Sequence, residues 1–189
     1  MSIDDDELWV LSFYRISEIS GALFFGRLAR SLRPGQLQMD LTRHFADEAQ
    51  HARYWTDCIQ QLGREPLRLD HAYQDRYLEA AGMPANLMEV LAITQVFERR
   101  VINQYARHSR VPGLQREIRD ALDRIMRDET WHLQWVRDAL LSMEGDYGKQ
   151  PVRAAIRRCL KADQQVYEQT IIEHAERVQH LLGIRKGAT

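Results

Sequence analysis

Two Pro-Gly breaks constrain this chain more than any other feature: Arg33-Pro34-Gly35 and Val111-Pro112-Gly113. Proline cannot continue a helix, and glycine permits a tight reversal. On both sides of each break the apolar residues recur with the period of a helix. Leu11, Tyr14, Gly21, Ala22, Phe25, Leu28, Ala29 and Leu32 form a stripe in segment 5–32. Leu37, Leu41, Phe45, Ala52, Trp55, Ile59 and Leu62 do so in 37–62. Leu87, Leu91, Thr94, Gln95, Val101, Ile102 and Tyr105 follow in 84–108, then Ile118, Leu122, Ile125, Val136 and Leu140 in 114–143. A fifth helix is expected over 151–182, with Tyr167, Ile171, His174 and Val178. Only 10 Gly and 5 Pro occur in 189 residues, too little punctuation for many short strands.

The connections decide the topology. Tight turns make antiparallel neighbours. Residues 64–82 are polar and irregular, with a short helical turn expected at 73–81. Those 19 residues can stretch roughly 60 Å, at about 3.3 Å per residue, enough to run the length of a bundle. The expectation is one all-α domain over 1–189: a four-helix bundle with one long crossover connection and a fifth C-terminal helix.

Charge and cysteine content narrow the partners. With 26 basic and 27 acidic residues the net charge is −1, which gives no footprint for nucleic acid. Arg153, Arg157, Arg158 and Lys161 fit the solvated face of a helix. Cys58 and Cys159 form no CxxC pair and read as reduced thiols. The start MSIDDDE lacks the pattern of a signal peptide, and no uninterrupted apolar run reaches membrane-spanning length. A cytoplasmic protein without DNA or membrane partners is expected.

Acidic residues interrupt the apolar stripes. Glu18 is in line with Tyr14, Ala22 and Phe25; Glu98 is in line with Leu91, Gln95, Ile102 and Tyr105. Two segments read Asp47-Glu48-Ala49-Gln50-His51 and Asp128-Glu129-Thr130-Trp131-His132. Glu and His three residues apart share a helix face and can reach one metal ion. With 13 Glu and 7 His in 189 residues, composition alone yields about half an ExxH match per chain, so two matches persuade little by themselves. Their register persuades more. Glu18 and Glu48 are 30 residues apart, Glu98 and Glu129 are 31 apart, and each pair straddles a Pro-Gly break. Each residue is therefore about 22 Å along its helix from the turn, at about 1.5 Å per residue, and all four helices deliver their carboxylates at one level. Four carboxylates buried together repel, and two divalent cations balance them. Oxygen and nitrogen donors without thiolate suit iron or manganese better than structural zinc.

These six residues, at this spacing, resemble the ferritin-like superfamily of di-iron carboxylate proteins over residues 5–143. The resemblance implies two iron ions, with Mn/Fe or Mn/Mn compatible. It implies Glu18 and Glu98 as terminal ligands, Glu48 and Glu129 as bridges, and His51 and His132 one per metal. Asp47 would support His132, and Asp128 would support His51. The segment Arg127 to Leu133 is similar to the fourth helix of bacterial di-iron oxygenases, such as the aldehyde-deformylating and transfer-RNA-hydroxylating families. That implies an oxygen-activating oxidoreductase whose partners are dioxygen, a small or tethered organic substrate and an electron donor, with a homodimer compatible. The rubrerythrin pattern of an added glutamate is absent, since Gln95 and Val101 hold those positions.

Two other functions stay open: ferroxidase, iron storage or peroxide detoxification, and a metal-free helical interaction module. Several neighbours keep two readings each. Gly21 and Ala22 either leave room beside the metals or pack helices closely. Thr94 and Gln95 either steer a bound ligand or bond locally. Tyr14 and Tyr105 relay electrons or fill the core. His44, one turn before Glu48, is an added ligand, a proton donor or a hydrogen-bonded histidine.

Overall fold

The long periodic segments all fold as helices, and the computed structural model describes residues 3–70, 72–174 and 177. The order is α1 (Asp5–Ser31), α2 (Gln36–Gln61), α3 (Tyr73–Ala81), α4 (Leu87–His108), α5 (Arg116–Tyr147) and α6 (Lys149–Glu173). No strand occurs among the described residues.

Local chemistry sets the ends. The Asp4 side chain accepts a hydrogen bond from the Glu7 amide at 2.7 Å and starts α1. Asn86 does the same for α4, accepting from Glu89 at 3.0 Å. That cap places the start at Leu87, three residues beyond the expected start at 84. Gly113 turns with φ 76, a left-handed value that favours glycine. Gly35 instead is extended at φ 165. The expected stop of α5 at 143 is overrun, because Gly145 stays helical; Gly148 at φ 86 ends it. A single residue then separates α5 from α6. Pro151 sits in the first turn of α6, where its missing N–H has no intrahelical role. The expected fifth helix reached 182, but residues 175, 176 and 178–182, Val178 included, lie outside the described residues.

Helices α1 and α2 pack as one hairpin and α4 and α5 as another, with α2 against α5 joining them. Helices α1 and α4 lie farther apart than the helices of either hairpin and meet through side chains such as Tyr14 and Tyr105. The short helix α3 of the crossover packs on α1 and α6, while α6 packs along α4. Arg100 of α4 and Asp163 of α6 form an ion pair, and the Tyr73 hydroxyl donates to Asp163 at 2.9 Å. Tyr77 Oη donates to the Cys159 carbonyl at 3.0 Å. These bonds hold the crossover helix against the bundle.

The apolar core is split in two. One cluster, around Leu11, Trp55, Ile59, Leu122 and Ile125, fills one end. The other, around Phe25, Leu41, Leu91, Val136 and Val152, fills the opposite end. Each such fully buried side chain contributes about 1.5–3 kcal/mol relative to exposure. A polar layer lies between the clusters. By length and composition α1 is apolar enough to cross a membrane, which a search for an uninterrupted run misses. Half of that stretch is buried within the protein, as a core helix requires.

Candidate metal centre

The polar layer consists of the residues singled out by register. Glu18, Glu48, His51, Glu98, Glu129 and His132 are each between 0 and 5% exposed. Two groups of donors form there. Glu18, Glu48, His51 and Glu129 each offer an atom within 4.8 Å of the others, and so do His44, Glu48, Glu98 and His132. Glu48 belongs to both groups. Glu129 also spans them, with Oε1 3.3 Å from His51 Nδ1 and Oε2 3.2 Å from His132 Nδ1. The remaining carboxylates stand one at each end: Glu18 Oε2 is 3.8 Å from His51 Nδ1, and Glu98 Oε2 is 3.8 Å from His132 Nδ1.

Both histidines turn Nδ1 inward and Nε2 outward. His51 Nε2 meets Asp128 Oδ2 at 3.2 Å, and His132 Nε2 meets Asp47 Oδ2 at 3.3 Å. Each aspartate thus reaches across to the other hairpin and orients an imidazole there. This is the crossed pairing that the resemblance implies.

Protons reveal the electrostatics of the layer. Burial, then repulsion from Glu18 and Glu98, pushes Glu48 well above the carboxylate range. Burial and Glu98 push Glu129 up to about 8. Burial disfavours a charged His51, but hydrogen bonds to Glu129 and Glu18 outweigh it and raise His51 to about 12. Burial is likewise outweighed at His132, where Asp47, Glu129 and Glu98 drive it far up. Against burial, His51 and Tyr105 hold Glu18 down, while His44 and His132 hold Glu98 well down. Glu48, Glu129, His51 and His132 are thus all shifted toward their protonated forms, which lowers the net negative charge of the layer. Two divalent cations would balance its four carboxylates. The residues fit such ions in donor type, in charge and in shared bridging positions.

Around the layer, Tyr105 Oη donates to Glu18 Oε1 at 2.5 Å and accepts from Trp55 Nε1 at 3.2 Å. Tyr14 packs on both rings, at 4.8 Å from Tyr105 and 5.2 Å from Trp55. Thr94 bonds back to the Val90 carbonyl at 3.1 Å. Gln95 does not line the cavity described below, and its buried Oε1 lacks a hydrogen-bond partner. Gly21 is explained by neither sequence reading alone. A Cβ there would stand 2.4 Å from Glu48 Oε2, so the space of its missing side chain is where the carboxylate sits. Ala22 is buried beside it.

The gap between α1 and α4 is a cavity of about 320 Å³. Its walls include Phe13, Phe24, Ile93, Phe97 and Val101, with Leu78 of α3 above. All four glutamates line it, and none of His44, His51 and His132 does. The layer thus presents its carboxylates to the cavity and its imidazoles away from it.

Phe45 is a correction to the sequence reading. The periodic stripe had put Phe45 inward, but Phe45 is 39% exposed and lies over Gly26, while His44 is fully buried. His44, already singled out one turn before Glu48, continues the buried face of Leu41, Glu48, Trp55 and Ile59, which Phe45 does not. The cavity between α1 and α4 has no comparable sequence signal. Comparison with protein-family models, curated proteins and solved structures gives no match for this chain.

Proposed function

We propose that this chain is a ferritin-like di-iron oxidoreductase that uses dioxygen to oxidise an apolar organic molecule held between α1 and α4. The observation that carries this reading is the cavity of about 320 Å³ that ends on all four buried glutamates. Glu18, Glu48, Glu129 and His51 would hold one ion; Glu98, Glu48, Glu129 and His132 would hold the other. Ferrous ions, once held by these residues, would supply the electrons for reducing dioxygen at the end of the cavity. The phenylalanines would exclude water and orient the substrate by its apolar surface. Tyr105 would fix Glu18, and the crossed aspartates would fix the imidazoles. Inserting one oxygen atom into a C–H bond consumes dioxygen, two electrons and two protons and yields an alcohol and water, so an external electron donor completes the cycle.

The test is anaerobic loading with ferrous iron followed by oxygen. Uptake of about two irons per chain and a new near-ultraviolet absorption band are expected, as the two-cation charge balance requires. Absence of metal uptake, with no effect of Glu48→Ala or His132→Ala on anything but packing, would sink the proposal. A shell-sized assembly that mineralises many irons per chain would instead favour storage, for which an apolar cavity on the site has no use.

A further inference from the structure

The two halves of the centre are related by an approximate repeat, and the repeat is broken at one position. Glu48 and Glu129 correspond, as do His51 and His132. One turn before Glu48 stands His44; one turn before Glu129 stands Ile125, fully buried in an apolar cluster. An aliphatic residue therefore satisfies the helix packing at this position, and the imidazole of His44 answers to something else.

Its surroundings indicate what. His44 Nε2 is 3.2 Å from Glu48 Oε1 and 3.2 Å from Glu98 Oε1. Its ring is clamped between His132, at 3.8 Å, and Phe25, at 4.0 Å, nearly parallel to both. Its outer nitrogen, Nδ1, is buried without a hydrogen-bond partner, unlike the outer nitrogens of His51 and His132. Donors bound to one first-row ion at about 2.1 Å stand about 3 to 4.2 Å from one another. The spacings from Nε2 to the two carboxylates fall in that range. Tyr105 also touches a terminal carboxylate, but its hydroxyl donates to Glu18 and accepts from the Trp55 indole rather than joining a group of metal donors. His44 instead shares one pocket of donors with Glu48, Glu98 and His132.

We infer that His44 is a third imidazole ligand, through Nε2, to the cation held by Glu48, Glu98 and His132, making the two ions of the centre inequivalent. The inference rests on the metal-centre reading above. One ion then has two imidazoles and the other has one. The nitrogen-rich ion has fewer positions left for exchangeable ligands, so exchange with small molecules from the cavity concentrates on the ion beside Glu18.

The experiment loads the whole chain with cobalt(II) and counts imidazoles directly. Each coordinated histidine contributes one strongly shifted, solvent-exchangeable ring N–H resonance in the proton NMR spectrum. The wild-type protein is expected to show three such resonances. His44→Gln, which keeps a side-chain donor for Glu98, is expected to show two, with one cobalt bound about tenfold or more weakly and the other nearly unchanged. Two resonances in the wild type, or an unchanged count in His44→Gln, would overturn the assignment while leaving a metal centre with two imidazoles intact. Failure of the wild type to bind cobalt would overturn both the assignment and the reading beneath it. The wild-type count needs no variant, so a His44→Gln protein that fails to fold leaves the test decisive.

Discussion

The half of the centre built around Glu18 and the half built around Glu98 use the same three ligand types at the same register, yet their supports differ in kind. Seven residues after Glu98 comes Tyr105, whose hydroxyl bonds to Glu18. Seven residues after Glu18 comes Phe25, which has no polar group and stacks on His44. Three residues after Glu18 comes Gly21, against which Glu48 rests; three after Glu98 comes Val101. Approximate symmetry therefore supplies the shared donor set. The departures from it set how an ion would be held in each half, one beside a phenol and a glycine, the other beside an imidazole.

The largest effect should come from the residue the halves share. Glu48→Ala removes a donor from both groups and is expected to abolish tight binding of both ions, a loss of more than about a hundredfold. Metal-free stability should hold or rise, since Glu48 is destabilised there by burial and repulsion. Calorimetric titration with a divalent cation and thermal unfolding without metal check the two parts. Retention of one ion at full affinity would break the view of Glu48 as common to both.

Acidity comes next. If the four protons of the metal-free layer are displaced by two ions, each ion releases up to two protons. Glu129, at about 8, still holds its proton at neutral pH and loses it as pH rises past that value. Below that range, binding should strengthen with pH by up to about a hundredfold per unit for each ion. Titrations in buffers of different ionisation enthalpy count the protons. A pH-independent affinity between 6 and 7 would contradict the charge balance.

Gly21→Ala separates the halves by sterics. The new Cβ would meet Glu48 Oε2 at 2.4 Å, so the carboxylate must move. Metal affinity should fall about tenfold or more, whereas Val101→Ala at the corresponding place should change it by less than about threefold and cost about 1–2 kcal/mol of stability instead. Equal metal-binding losses in the two variants would remove this distinction.

The smallest effect is expected at Tyr105. Tyr105→Phe takes a donor from Glu18 and leaves the Trp55 indole N–H without its acceptor. A stability loss of about 1–3 kcal/mol follows from those unmade bonds. Affinity for the ion beside Glu18 should weaken several-fold, with the ion beside Glu98 unaffected. Site-resolved cobalt spectra distinguish the two.

Most helices were readable because burial of a stripe imposes a 3.6-residue period on the chain. The short helix at Tyr73–Ala81 falls where it was expected. Boundaries moved where a single interaction outranked the pattern, as with the Asn86 cap and the left-handed Gly148. The site was readable for a related reason. Equal distances from two turns put the carboxylates at one height before any contact is known. The place of His44 on the buried face was obscured by its neighbour, since Phe45 is the more apolar residue but lies at the edge of that face. Hydrophobicity ranked them in the wrong order; the requirement for a donor in the polar layer is not visible to it.

By itself, then, the sequence determined that the chain is helical, where it turns, and which acidic and histidine side chains meet at one level. Those follow from local backbone chemistry and a repeating period. Tertiary structure alone decided that α1 and α4 stand apart, that α3 lies over the resulting cavity, and that His44 joins one half of the layer. These depend on distances between segments far apart in the chain, and no periodicity within one segment encodes the gap between two others.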